Sequence, residues 1–210
     1  MRLKPGTILF VLILLQGAAL AQKNLRYELQ GGMAFVVPSR SVFSNWDDGW
    51  ILGFTMPFHI HSNIQIVPGV FCQRFRYVGG KLSFVSPGIV GFKRSVTGKP
   101  STIYESVLAL RLISSGKRIK NFLSFSGGMY FMQVGELLNK TWVEPNWQNV
   151  SAVVYSGTGS AASKGFFSFG YGLNIPFHSA MAFQIEGKLA GTFDGDHAFV
   201  NILSALQFQP

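Results

Sequence analysis

The 210-residue chain holds one cysteine, Cys72, so an internal disulfide is excluded. A lone thiol in an exported chain is either buried or paired between chains, and burial is the plainer reading. Charge is scarce as well: only 13% of residues are charged, and just 9 are acidic. Beyond the first 21 residues no segment stays apolar for the ~18 residues that a membrane-spanning helix requires, which excludes such helices from the rest of the chain.

The N-terminus reads as a targeting segment. Arg2 and Lys4 precede the apolar run Ile8 to Leu15, and the small residues Ala18, Ala19 and Ala21 follow, the layout of a secretory signal peptide. The expectation is a signal peptide over residues 1–21, cleaved before Gln22, and one domain over residues 22–210. Cys72 is far from that junction, so a lipid-modified N-terminal cysteine is not expected. Without Arg2 and Lys4 the chain keeps 16 basic against 9 acidic residues, a net charge of +7. After a signal peptide, an anionic membrane surface is a better match for this balance than nucleic acid or an acidic substrate.

What the chain does have is 48% hydrophobic residues, 14% aromatic residues and 24 glycines. Aromatic and glycine enrichment without helix-length apolar runs suits strands with one lipid-facing side. A period of two recurs in segments long enough to cross a bilayer when tilted. In 181–189 the odd positions are apolar or Gly, while Gln184, Glu186 and Lys188 occupy even ones. Elsewhere the alternation places Leu29 and Met33 outward with Arg26, Glu28 and Gln30 inward, then Trp50, Leu52 and Phe54 outward with Gly53 and Thr55 inward. Tyr104, Leu108 and Leu110 oppose Glu105 and Arg111; Leu123, Phe125 and Met129 oppose Ser124, Ser126 and Tyr130. Phe167, Phe169 and Tyr171 oppose Ser168, Gly170 and Gly172, and Val200, Ile202 and Leu206 oppose Asn201, Ala205 and Gln207. Residues 64–77 form the irregular member. There Pro68 predicts a break or bulge, beyond which Phe71, Phe75 and Tyr77 fall on one face and Arg74 and Arg76 on the inward one.

The connections alternate in length. Residues 38–48, 78–101 and 134–164 are long; 59–63, 114–119 and 176–179 are short, and Asp194-Gly195-Asp196 is a tight polar loop. Short periplasmic turns and longer external loops give this order in an even-stranded barrel. The fold expected is therefore all-β: an eight-stranded antiparallel up-and-down transmembrane β-barrel. Residues 78–100 are expected to extend the flanking strands as a hairpin, and 134–164 to be mobile.

With Gly31-Gly32 in the first strand and, over 167–208, a Gly-rich strand, a Pro-containing turn, an amphipathic strand and a final strand ending near Phe208, the chain resembles the small outer-membrane β-barrel proteins of the porin family, with the general shape of OmpX and the OmpA membrane domain. The resemblance implies a bacterial outer-membrane location and handling by the barrel-insertion machinery. Members typically finish on an aromatic residue, whereas Phe208 is followed here by Gln209-Pro210, a departure that bears on insertion rather than architecture.

An eight-stranded interior is only wide enough to be filled by side chains. The inward set Arg26, Glu28, Arg74, Arg76, Glu105, Arg111, Glu186 and Lys188 mixes both signs, so a lumen ion-pair network is expected, with a selectivity filter for ions or small solutes as the alternative. Lys81, Lys93, Arg94 and Lys99 in the second long loop are candidates for contact with lipopolysaccharide phosphates. His59, His61, His178 and His197 are not expected to converge on a metal, and His61-Ser62-Asn63 lacks a carboxylate to orient the imidazole. His197, beside Asp194 and Asp196, lacks a nearby serine. No catalytic residue, metal or cofactor is expected, and the reading is a monomeric barrel, not an enzyme, whose external loops carry recognition.

Overall fold

The structure, a computed structural model, describes residues 26–37, 46–77, 92–114, 116, 119–143, 148–151, 161–195 and 197–209. The expected leader 1–21 lies outside them, as do Lys81, Lys117, Arg118, Trp147 and Asp196.

Eight strands close into a barrel. They are β1 (Tyr27–Val36), β2 (Trp46–Thr55) with its short continuation β3 (Phe58–His61), β4 (Ile64–Tyr77), β6 (Ser101–Ile113), β7 (Lys120–Gln133), β10 (Ala161–His178), β11 (Met181–Thr192) and β12 (Ala198–Phe208). Each pairs antiparallel with its neighbours along the chain, and β1 pairs with β12 from Tyr27↔Phe208 to Val36↔Phe199. Closure satisfies the backbone groups that an open sheet edge would leave unpaired. The start of β1, the end of β12 and the strand ends joined by the short connections at Ser62-Asn63, 114–119 and Ser179-Ala180 lie at one end, the turn end. The strand ends joined by the longer connections lie at the other, the loop end.

The alternation in sequence becomes an alternation in burial. In β12, Phe199, Asn201, Leu203, Ala205 and Gln207 are buried, while Val200, Ile202, Leu206 and Phe208 face outward and are exposed. The same holds along β10, where Phe167, Phe169 and Tyr171 are exposed and Phe166 and Ser168 are buried. Large apolar side chains thus cover the outer wall on every barrel strand.

The β4 strand departs from the expectation in two ways. Its pairing with β6 runs unshifted from Ile64↔Leu112 to Phe75↔Ser101, so Pro68 causes neither break nor bulge there. The Pro68 carbonyl accepts from Met56 N at 3.0 Å, and the missing N–H points to the same side, where β2 gives way to β3 at Met56-Pro57. The interruption falls on the neighbouring strand, and proline is tolerated where no donor is needed. One phase therefore holds throughout: Gln65, Val67, Phe71, Gln73 and Phe75 are buried inside, and Arg74 and Arg76 are exposed on the outer face, not in the lumen.

Two of the long connections meet. The strand β5 (Phe92–Gly98) pairs with β8 (Leu137–Val143), which pairs with β9 (Gln148–Ser151) in a separate three-stranded sheet. Residues 92–98 consequently join the following long connection rather than extending β4 as a hairpin, and part of 134–164 is regular strand.

Candidate functional site

The lumen is divided along its axis. Its loop-end half is packed by Ile51, Phe71, Phe75, Ile103, Met132, Phe166, Phe199 and Leu203, with Phe75 and Phe199 stacked at a centroid distance of 5.5 Å. Its turn-end half is polar and is organised around Glu28.

Cross-strand register assembles the Glu28 cluster. Glu28 stands opposite Thr55 on β2 and Gln207 on β12, with Gln30 two residues along on the same face. Arg111 stands opposite Gln65 in the β4–β6 ladder and reaches across the lumen. Its Nη1 donates to Glu28 Oε1 at 2.7 Å and its Nη2 to Oε2 at 3.1 Å. Gln184 Nε2 and Gln207 Nε2 also donate to Oε1, at 2.8 and 3.0 Å. Thr55 Oγ1 and Gln30 Nε2 donate to Oε2 at 2.8 and 3.0 Å, and Gln30 Nε2 also donates to Thr55 Oγ1 at 3.1 Å. The guanidinium lies 4.6 Å from the centroid of the Phe122 ring and donates to Gln65 Oε1 at 3.3 Å. Both partners are buried, with side-chain exposures of 4% and 0%. Such a pair holds only because the carboxylate's acceptor sites are filled and the charge is cancelled at contact.

A second polar layer lies further along the axis. Ser124 Oγ donates to Glu186, whose other oxygen is 3.3 Å from Lys188 Nζ. The Lys188 ammonium also sits 5.2 Å from the Phe71 ring centroid, and Gln73 Nε2 donates to Glu105. Gly170, opposite both Ser124 and Lys188, makes room for this layer: a Cβ there would lie 2.5 Å from Ser124 Oγ and 2.7 Å from Glu186 Oε1. Gly53 does the same for Phe71, whose Cδ1 would be 2.1 Å from an added Cβ. A cavity where this layer meets the apolar half, beside Phe71, Glu105, Ser168 and Lys188, is about 10 Å³, room for one water at most.

Of the inward set read from sequence, Glu28, Glu105, Arg111, Glu186 and Lys188 line the lumen, while Arg26 is half-buried at the turn-end mouth. Arg74 and Arg76 instead flank an outer-surface groove with Asp48 and Trp50 near the loop end. The charged set omits the glutamines: Gln30, Gln184 and Gln207, which the alternation in sequence puts inward, and Gln65, in the irregular segment 64–77, complete the shell of Glu28 and Arg111.

Among the loop cations, Lys81 lies outside the described residues, and Lys93 and Arg94 are placed by backbone register opposite Trp142 and Thr141. Lys99 is exposed and pairs with Glu136 at 2.5 Å. His59 and His178, 119 positions apart, line one cavity at the turn end, and His61 is exposed. His197 is buried against Tyr130 and Phe199, and Asp194 pairs with Lys164 at 2.5 Å. Among the described residues no three His, Cys, Asp or Glu side chains gather into a metal site.

No protein-family model and no curated protein matches the chain. Solved structures do. Neisserial surface protein A is similar at a TM-score of 0.52 and 8% identity, over 89% of this chain and 97% of its own. Ail, the attachment invasion locus protein of Yersinia pestis, gives a TM-score of 0.44 at 12% identity, over 87% and 98% of the two chains. The N-terminal β-barrel domain of Pseudomonas aeruginosa OprF gives 0.43 at 8%, over 88% and 96%. The first of these likenesses supports the fold alone: a closed eight-stranded antiparallel β-barrel.

Proposed function

We propose that the protein is an integral barrel of a bacterial outer membrane, with a closed lumen and with recognition carried by the loop end. One observation supports this most strongly: the barrel is inverted relative to a soluble protein. Leu29, Leu52, Val70, Leu108, Met129, Phe167, Leu189 and Ile202 are each more than half exposed on the wall, whereas Glu28, Arg111 and Glu186 are buried inside. An apolar surface of this extent is stable only in lipid. In the up-and-down topology of such barrels the turn end faces the periplasm and the loop end the outside.

The lumen serves as scaffold. Among the described residues the Glu28 cluster and the apolar cluster above it fill the lumen with side chains, and the β5–β8–β9 sheet adds regular structure to the long connections. Arg74 and Arg76, exposed on the outer wall beside Trp50, are placed to meet anionic headgroups of the outer leaflet, a better position than that of the paired Lys99. Phe208, outward at the end of β12, offers an aromatic to the insertion machinery.

Fractionation and migration test the location. Recovery in the outer-membrane fraction, with migration in mild detergent that changes on heating, is the expected result; release by osmotic shock would refute it. In planar bilayers the purified barrel should give no reproducible conductance steps. Ion-selective steps would instead establish a narrow porin.

A further inference from the structure

We propose that the turn-end mouth of the barrel is an anion site, taking a small multivalent oxyanion or a carboxylate presented from the periplasm. Its direction of access rests on the outer-membrane reading above; its affinity for anions does not.

The mouth holds a cavity of about 120 Å³, which has room for several waters or one tetrahedral oxyanion. Strand ends bring two cations and two imidazoles together: Arg26 immediately before β1, His59 on β3, Lys120 at the start of β7 and His178 at the end of β10, over a floor of Arg111. Among the described residues no Asp or Glu lines it. The nearest carboxylate in the network is Glu28, whose oxygens are already filled by Arg111, Gln184, Gln207, Gln30 and Thr55. Arg26 and Lys120 therefore face the cavity with no carboxylate in its lining to cancel them.

A further observation points to a missing anion. Arg111 Nε is buried without a hydrogen-bond partner, although Nη1 and Nη2 both donate to Glu28. His59, whose Nε2 accepts from Gln65 Nε2 at 2.8 Å, shares the lining with Arg26, Lys120 and Arg111. His178 Nδ1 accepts from Ala180 N at 3.3 Å, which leaves its Nε2–H as a donor. An anion here would be met by convergent charged donors in a partly enclosed site, where charge-assisted bonds are strongest.

The test uses the isotope-labelled barrel refolded in zwitterionic micelles and titrated with inorganic phosphate or with a soluble cell-wall muropeptide, against chloride at matched ionic strength. Saturable NMR shifts confined to Arg26, His59, His178 and their neighbours are expected with one or both probes. Phosphate alone would identify a free oxyanion and the muropeptide alone a cell-wall carboxylate. The double variant Arg26→Gln/Lys120→Gln, which leaves the Glu28–Arg111 pair intact, should weaken binding at least tenfold while keeping heat-modifiable migration. Unsaturable shifts with both probes, identical shifts with chloride, or undiminished binding by the folded double variant would overturn the site. Separately, Lys120→Cys in intact cells should resist an impermeant thiol reagent; labelling from outside would overturn the membrane orientation and leave the anion site standing.

Discussion

Replacing Glu28 by Gln keeps the shape of the side chain and removes its charge. The carboxylate accepts from Arg111, Gln184, Gln207, Gln30 and Thr55, and a carboxamide can present only one oxygen to them. Its NH₂ group would face donors, and Arg111 would be left as a buried cation with no counter-charge in contact. Breaking a buried pair from one side costs about 3–5 kcal/mol. At an m-value near ~3 kcal/mol/M, the urea midpoint of the barrel in micelles should fall by roughly 1–1.7 M. The second variant, Glu28→Gln/Arg111→Met, removes both charges and should recover at least half of that loss, since the penalty in the single variant comes from the uncompensated cation. Tryptophan fluorescence during urea unfolding measures both. A single-variant midpoint within about 0.3 M of wild type, or a double variant whose loss is the sum of the two singles, would refute the role given to the pair.

Gly53→Val should destabilise the barrel by about 1–3 kcal/mol in the same assay, because the added atoms meet the Phe71 ring, and a smaller residue at 71 in the same chain should restore part of it. Arg74→Ala/Arg76→Ala should leave the unfolding midpoint within about 0.5 kcal/mol of wild type, as expected of exposed positions, yet weaken salt-sensitive association with lipid A-containing vesicles in flotation assays.

The barrel was legible because one side of each strand faces lipid and the other a packed, partly polar lumen. Where both sides are apolar the signal fails. In β4 the inward residues beyond Pro68 are Phe71 and Phe75, which belong to the apolar loop-end half of the lumen, so hydrophobicity assigned them outward and sent Arg74 and Arg76 inward. The unbroken ladder with β6 fixes the opposite phase, and it depends on a proline whose missing donor is harmless only because β2 is interrupted at Met56-Pro57. The Glu28 cluster draws on β1, β2, β4, β6, β11 and β12, and no local pattern joins Glu28 to Arg111, 83 residues away. For the same reason the β5–β8 pairing, made between two separate loops, left no trace in either one.

The outward placement of the apolar wall is the central claim, and spin labels at successive β12 positions test it most directly. With Cys72 replaced, nitroxides at Val200, Ile202, Leu206 and Phe208 in vesicle-reconstituted protein should be highly accessible to oxygen and shielded from a water-soluble nickel complex, whereas those at Asn201, Leu203 and Ala205 should have low oxygen accessibility. A nickel-accessible outer series with no period-two oxygen signal would contradict a membrane barrel.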